Sequence, residues 1–134
     1  MLAAVTSSVM ACGYCVEDKI AAVYDHAVAT RAIAHRHQVV FFAIEGNIPP
    51  GEESRRMLEA NARALAGVEK GSVRVSVDAA ALSAAFDPAR VALVDAERAL
   101  NRKLAARGLH ASIMRVIEKP GELKEASKLS KGTE

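Results

Sequence analysis

The sequence predicts a single α+β domain, a four-stranded antiparallel sheet with helices packed against it. Three observations lead there. From Val39 onward the apolar pattern runs strand, helix, strand, strand, helix, strand. The 134 residues are 51% hydrophobic and 25% charged, enough apolar material for one packed core and too much for global disorder. A further amphipathic segment, 16–36, stands ahead of the first strand and supplies a cover for the sheet's second face.

In the segment 16–36, Val16, Ile20, Val23, Ala27 and Ala34 fall near one face of a helix, while Glu17, Asp18, Asp25 and Arg31 lie largely off it. Glu17 and Asp18 stand in the first turn, where the helix dipole favours negative charge. The spacing predicts one continuous helix, about 30 Å long at ~1.5 Å per residue. Val39–Ile44 is a short, unbroken apolar run, read as a central strand buried on both faces. Gly46 to Gly51, with Pro49 and Pro50, must be a loop. A helix is predicted from Glu52 to Ala66, with Met57, Leu58, Ala62 and Leu65 inward and Gly67 ending it. Val73, Val75 and Val77 alternate with polar residues as a half-buried strand, and Leu82 to Phe86 forms the next. Ala89 to Arg107 reads as a long helix stopped by Gly108, and Leu109 to Ile117 as the last strand.

This order is the split βαβ plan. The predicted fold is therefore a ferredoxin-like βαββαβ sandwich with an extra N-terminal helix. Four regions follow: a signal-peptide remnant at 1–11, a CxxC segment and helix at 12–38, the sandwich at 39–118, and a disordered tail at 119–134. The leader reading rests on the small, uncharged residues from Met1 to Ala11, and it implies a periplasmic or secreted protein. An ordinary N-terminal strand is the alternative. Val9-Met10-Ala11-Cys12 also has the outline of a lipoprotein processing site, which would anchor the chain. No stretch reaches the roughly 18 apolar residues of a membrane span. Eighteen basic residues against sixteen acidic ones, well mixed, exclude a strong electrostatic footprint on nucleic acid.

The chemistry centres on Cys12 and Cys15, which flank Gly13-Tyr14 just before the first helix. So tiny a loop stabilises a fold little, which points to a chemical use for the pair. Backbone N–H groups and the dipole at a helix start favour thiolate. Thiolates bind soft ions such as Cu(I) or zinc, and they also drive disulfide exchange. Three classes stay open: a soft-metal binding or transfer protein, a thiol–disulfide redox protein, and an interaction module with an idle disulfide. Two thiolates leave a low-coordinate site, open to a partner metal-transfer protein or to a homodimer.

Residues 39–118 carry further runs: Leu65-Ala66-Gly67-Val68, Val73 to Asp78, Leu82 to Pro88, and Ala106-Arg107-Gly108-Leu109-His110-Ala111. Over this stretch the chain resembles the heavy-metal-associated (HMA) domain family. The resemblance implies a ferredoxin-like fold and copper or zinc handling. That family holds its ion in a Met-x-Cys-x-x-Cys loop after the first strand. Here that loop, 46–53, has no cysteine. Met10-Ala11-Cys12-Gly13-Tyr14-Cys15 matches the motif but stands ahead of the extra helix. A helix running antiparallel to strand 39–44 would bring Cys12 and Cys15 toward loop 46–53, so the thiols are expected to serve the usual site from outside it. Met10, Tyr14, Lys19 and Asn47 would then surround the ion.

The four histidines are weaker candidates. His26 is too far along a continuous helix to share an ion with Cys15. His35 and His37 could bind a metal together if extended, or simply complement a helix end. His110 reads as structural. No Ser-His-Asp arrangement, phosphate loop or carboxylate pair supports a hydrolytic enzyme.

Overall fold

A computed structural model of the protein describes residues 14–124. Residues 1–13, with the expected leader, Met10 and Cys12, and the last ten residues of the expected tail lie outside the described residues. The elements run α1 (Val16–Val23), α2 (His26–Ala34), β1 (Gln38–Glu45), α3 (Glu52–Arg63), β2 (Arg74–Ser76), β3 (Ala81–Phe86), α4 (Leu93–Leu104) and β4 (His110–Ile117). The four strands form one antiparallel sheet in the order β2-β3-β1-β4. This is the ferredoxin-like arrangement, with helical structure added at the N-terminus.

β1 lies between β3 and β4, so both of its faces must be apolar. Val40, Phe42 and Ile44 face the layer of α3 and α4, where Leu58, Ala62, Leu100 and Leu104 complete the main core. Phe42 and Phe86 meet there edge to face, ring centroids 6.5 Å apart. Val39 and Phe41 face the other way, onto Ile20 and Val23 of α1 and Ala29 and Ala32 of α2. The sheet is thus covered on both sides, and Phe41 and Phe42 are both fully buried. No helix among the described residues is long and apolar enough to cross a membrane.

The expected continuous helix 16–36 is two helices. Tyr24 and Asp25 take extended backbone angles between them. Asp25 caps α2, its Oδ1 accepting from the Val28 N–H at 3.1 Å, while its Oδ2 accepts from Arg74 Nε at 3.0 Å. Aspartate is a modest helix former and a strong N-cap, so local capping and a long-range ion pair together break the helix. The Ser83 hydroxyl donates to the Val23 carbonyl at 2.7 Å and satisfies the end of α1 from beneath. The helix expected over 89–107 is also shorter: α4 spans Leu93–Leu104 and tightens into a 3-10 turn, Ala105–Arg107, before Gly108. In the region expected to be tail, Pro120 to Lys124 is helical and Leu123 packs on the second core.

Two local devices position the groups considered below. α2 ends in a Schellman motif, with the Arg36 N–H bonded to the Ile33 carbonyl and the His37 N–H to the Ala32 carbonyl. Arg36 occupies the left-handed position, φ 63°, which costs a non-glycine residue on the order of 1 kcal/mol. β2 is only three residues long and pairs with β3 no further than Ser83. Beyond it, the edge of β3 is satisfied by single residues: the Glu69 N–H donates to the Ala85 carbonyl, and Ser72 Oγ accepts from the Ala85 N–H.

Candidate functional site

Cys15 is the N-cap residue of α1 and is exposed. Its backbone N–H donates to Asp18 Oδ2 at 3.4 Å, so the first-turn acid folds back on the helix start. Tyr14 and Val16, on either side in sequence, are also exposed. Cys12, the other half of the motif, lies outside the described residues.

Lys19 stands one turn further on, but its ammonium is held by the carbonyls of Ala79 at 2.6 Å and Ala80 at 3.3 Å. Its charge serves to pin α1 to the β2–β3 turn. The Ala80 carbonyl also accepts from the Ile44 N–H. The start of α1 therefore sits at the end of the sheet where β1 finishes, as an antiparallel packing requires. It lies over the second face, whereas loop 46–51 leads into α3 on the first. Asn47 lines a hollow of about 400 Å³ with Pro49, Ser54, Met57, Arg107 and Leu109. Among the described residues that hollow is bounded by α3 and the turn after α4, not by Cys15. The expected delivery of the cysteine pair into loop 46–53 involves Cys12, which lies outside the described residues; Cys15 itself does not line the hollow at Asn47.

His26 is the first residue of α2; its Nδ1 meets the Tyr24 hydroxyl at 2.8 Å and its Nε2 the Thr30 hydroxyl at 3.4 Å. Burial raises the Tyr24 pKa, and the neighbouring Asp25 adds to the rise. His110 opens β4, exposed and opposite Glu45. Among the described residues, neither belongs to a group of three metal-ligating side chains.

His35 and His37 do come together, and with a residue that sequence reasoning missed. The Schellman turn sets their rings edge to face, centroids 5.9 Å apart. Glu69, from the loop between α3 and β2, places a carboxylate against them. One ligand atom from each of His35, His37 and Glu69 lies within 4.8 Å of the others. Glu69 Oε2 pairs with His37 Nδ1, while its Oε1 lies 3.8 Å from Arg31 Nε. On the far side of the His37 ring, Asp87 Oδ2 is 3.9 Å from Nε2. His37 and Glu69 are four-fifths buried, and His35 is exposed at the mouth. No local spacing marks Glu69, which stands 32 residues beyond His37. The fold alone unites them, by placing Val68 and Glu69 along the end of β3 opposite the start of β1.

Comparison with protein-family models, with curated proteins and with solved structures finds no match.

Proposed function

We propose that the chain binds a soft metal ion, Cu(I) before zinc, through the thiolates of Cys12 and Cys15 and hands it on by thiolate exchange in the cell envelope. The observation that carries this reading is Cys15 itself: an exposed thiol at the N-cap of a helix, three residues after a second cysteine. Amides and dipole at that position favour the thiolate that a soft ion requires. Exchange needs an incoming thiolate to reach the ion, so an exposed ligand suits transfer better than a buried one. Tyr14 and Val16 offer an apolar rim on which a partner, or a second copy of the chain, would seat.

The test is Cu(I) competition against a chromogenic chelator, with reduced wild type beside Cys12→Ser and Cys15→Ser. One equivalent of Cu(I) held by wild type and lost in both variants supports the proposal. If wild type holds no Cu(I), yet its dithiol cycles at a potential in the oxidoreductase range of about −270 to −120 mV, disulfide exchange replaces it.

A further inference from the structure

We propose that His35, His37 and Glu69 form a second metal site, separate from the cysteine pair, for a borderline divalent transition ion such as Zn2+. Two imidazoles and a carboxylate are the donor set that such ions take, and three protein ligands leave a position for water or an incoming group. Soft Cu(I) prefers the thiols, so the two sites would select different ions.

The geometry supports closure around an ion. Ligand atoms on a tetrahedral Zn2+ at ~2.1 Å stand about 3.4 Å apart. The three donors are already within 4.8 Å of one another; an ion would enter by parting the directly paired Glu69 Oε2 and His37 Nδ1 and turning the exposed His35 ring inward. The backbones that carry the other two donors are held in place. His37 follows a left-handed residue in a hydrogen-bonded turn, and the Glu69 backbone is bonded at both its N–H and its carbonyl, to Ala85 and Ser72. The outer groups suit ligation too. Arg31 faces one oxygen of Glu69 and leaves the other for the site. Asp87 stands behind His37 on its second nitrogen, where a carboxylate orients a ligand imidazole. Of the charged groups paired with the cluster, the carboxylates of Glu69 and Asp87 outnumber the guanidinium of Arg31.

The site also lies away from Cys15. His35 and His37 precede β1, whereas α1 begins beyond its far end, and β1 spans about 23 Å at ~3.3 Å per residue. The two sites are therefore independent, and failure at one says nothing of the other.

The experiment uses the full chain carrying Cys12→Ser and Cys15→Ser, so that thiols contribute nothing. Zn2+ is titrated in competition with a chromogenic chelator, and Co2+ is added separately as a spectroscopic probe. One Zn2+ per chain is expected, together with a tetrahedral Co2+ spectrum free of sulfur charge transfer. His35→Ala and Glu69→Gln, each made in that background and checked for an unchanged circular dichroism spectrum, should weaken Zn2+ by roughly tenfold or more. If the thiol-free chain takes up no Zn2+, or if both variants bind like their parent, the site does not exist and the cluster is an ion-pair network.

Discussion

Replacing Ser72 by alanine should be among the costliest small changes in this protein, although it removes one oxygen. Ser72 is fully buried. Its hydroxyl donates to the Glu69 carbonyl at 2.5 Å, and the same oxygen accepts from the Ala85 N–H at 2.8 Å. β2 stops pairing at Ser83, so the Ala85 N–H faces the place where a longer strand would lie. Alanine leaves that buried donor with no partner, which costs about 1–3 kcal/mol. The lost bond to Glu69 adds about 1 kcal/mol, partly offset because the Ser72 N–H still reaches that carbonyl at 2.9 Å. The total is about 2–4 kcal/mol, or a Tm lower by about 8–16 °C at ~4 °C per kcal/mol for a domain of this size. Thermal and urea melts measure it, with Ser76→Ala as the control. Ser76 Oγ accepts from the Ala79 N–H at 3.1 Å in a half-buried turn where water can substitute, so that variant should lose under about 1 kcal/mol. A Ser72→Ala loss no greater than the control's would refute the account of how β3's edge is closed. The same variant removes one of the hydrogen bonds that hold the Glu69 backbone and should weaken any Zn2+ held in the thiol-free chain.

Two further perturbations test other parts of the fold. The Asp25 carboxyl is held below the usual carboxylate range, first by the Val28 N–H and then by Arg74, against an opposing contribution from burial. A carboxyl with a lowered folded pKa stabilises the fold above its ordinary range near ~3.9 and loses that contribution as pH falls through the folded value. Asp25→Ala should therefore cost about 1–2 kcal/mol at neutral pH, and the gap to wild type should narrow as acid is added below about pH 4. Urea melts across that range check it, and a gap constant with pH would reject the assignment. Gly46 and Gly51 have similar positive φ, 117° and 119°, but a Cβ at Gly46 would lie 2.7 Å from the Gly108 carbonyl oxygen, whereas one at Gly51 meets nothing within 4 Å. Both alanine variants carry the strain of that conformation, so Gly46→Ala should be the less stable by about 1–3 kcal/mol, read from paired thermal melts. Equal losses would mean that loop 46–51 yields easily to the β4 start.

Helix Glu52–Arg63 is legible in sequence because Leu58 and Ala62 repeat at helical spacing on one face and acids crowd its first turn. The central strand is legible because no surface strand can afford Val39 to Phe42 unbroken. The break at Asp25 was not, since its cap is local but its partner Arg74 comes from 49 residues away. The histidine–glutamate cluster was half visible: His35 and His37 stood out as a pair, while Glu69 looked like any loop acid.

Sequence alone determined the order of elements, the two-faced burial of β1 and the presence of a CxxC pair before a helix. These depend on periodicity and on residues a few places apart, where chain geometry already decides which side chains share a face. Only the tertiary structure decided that segment 16–36 breaks into two helices at Asp25, that Lys19 spends its charge on the Ala79 and Ala80 carbonyls, and that Glu69 meets His37. Those outcomes follow from the register of strands 32 or more residues apart, and no local pattern encodes which loop a sheet edge will bring beside another.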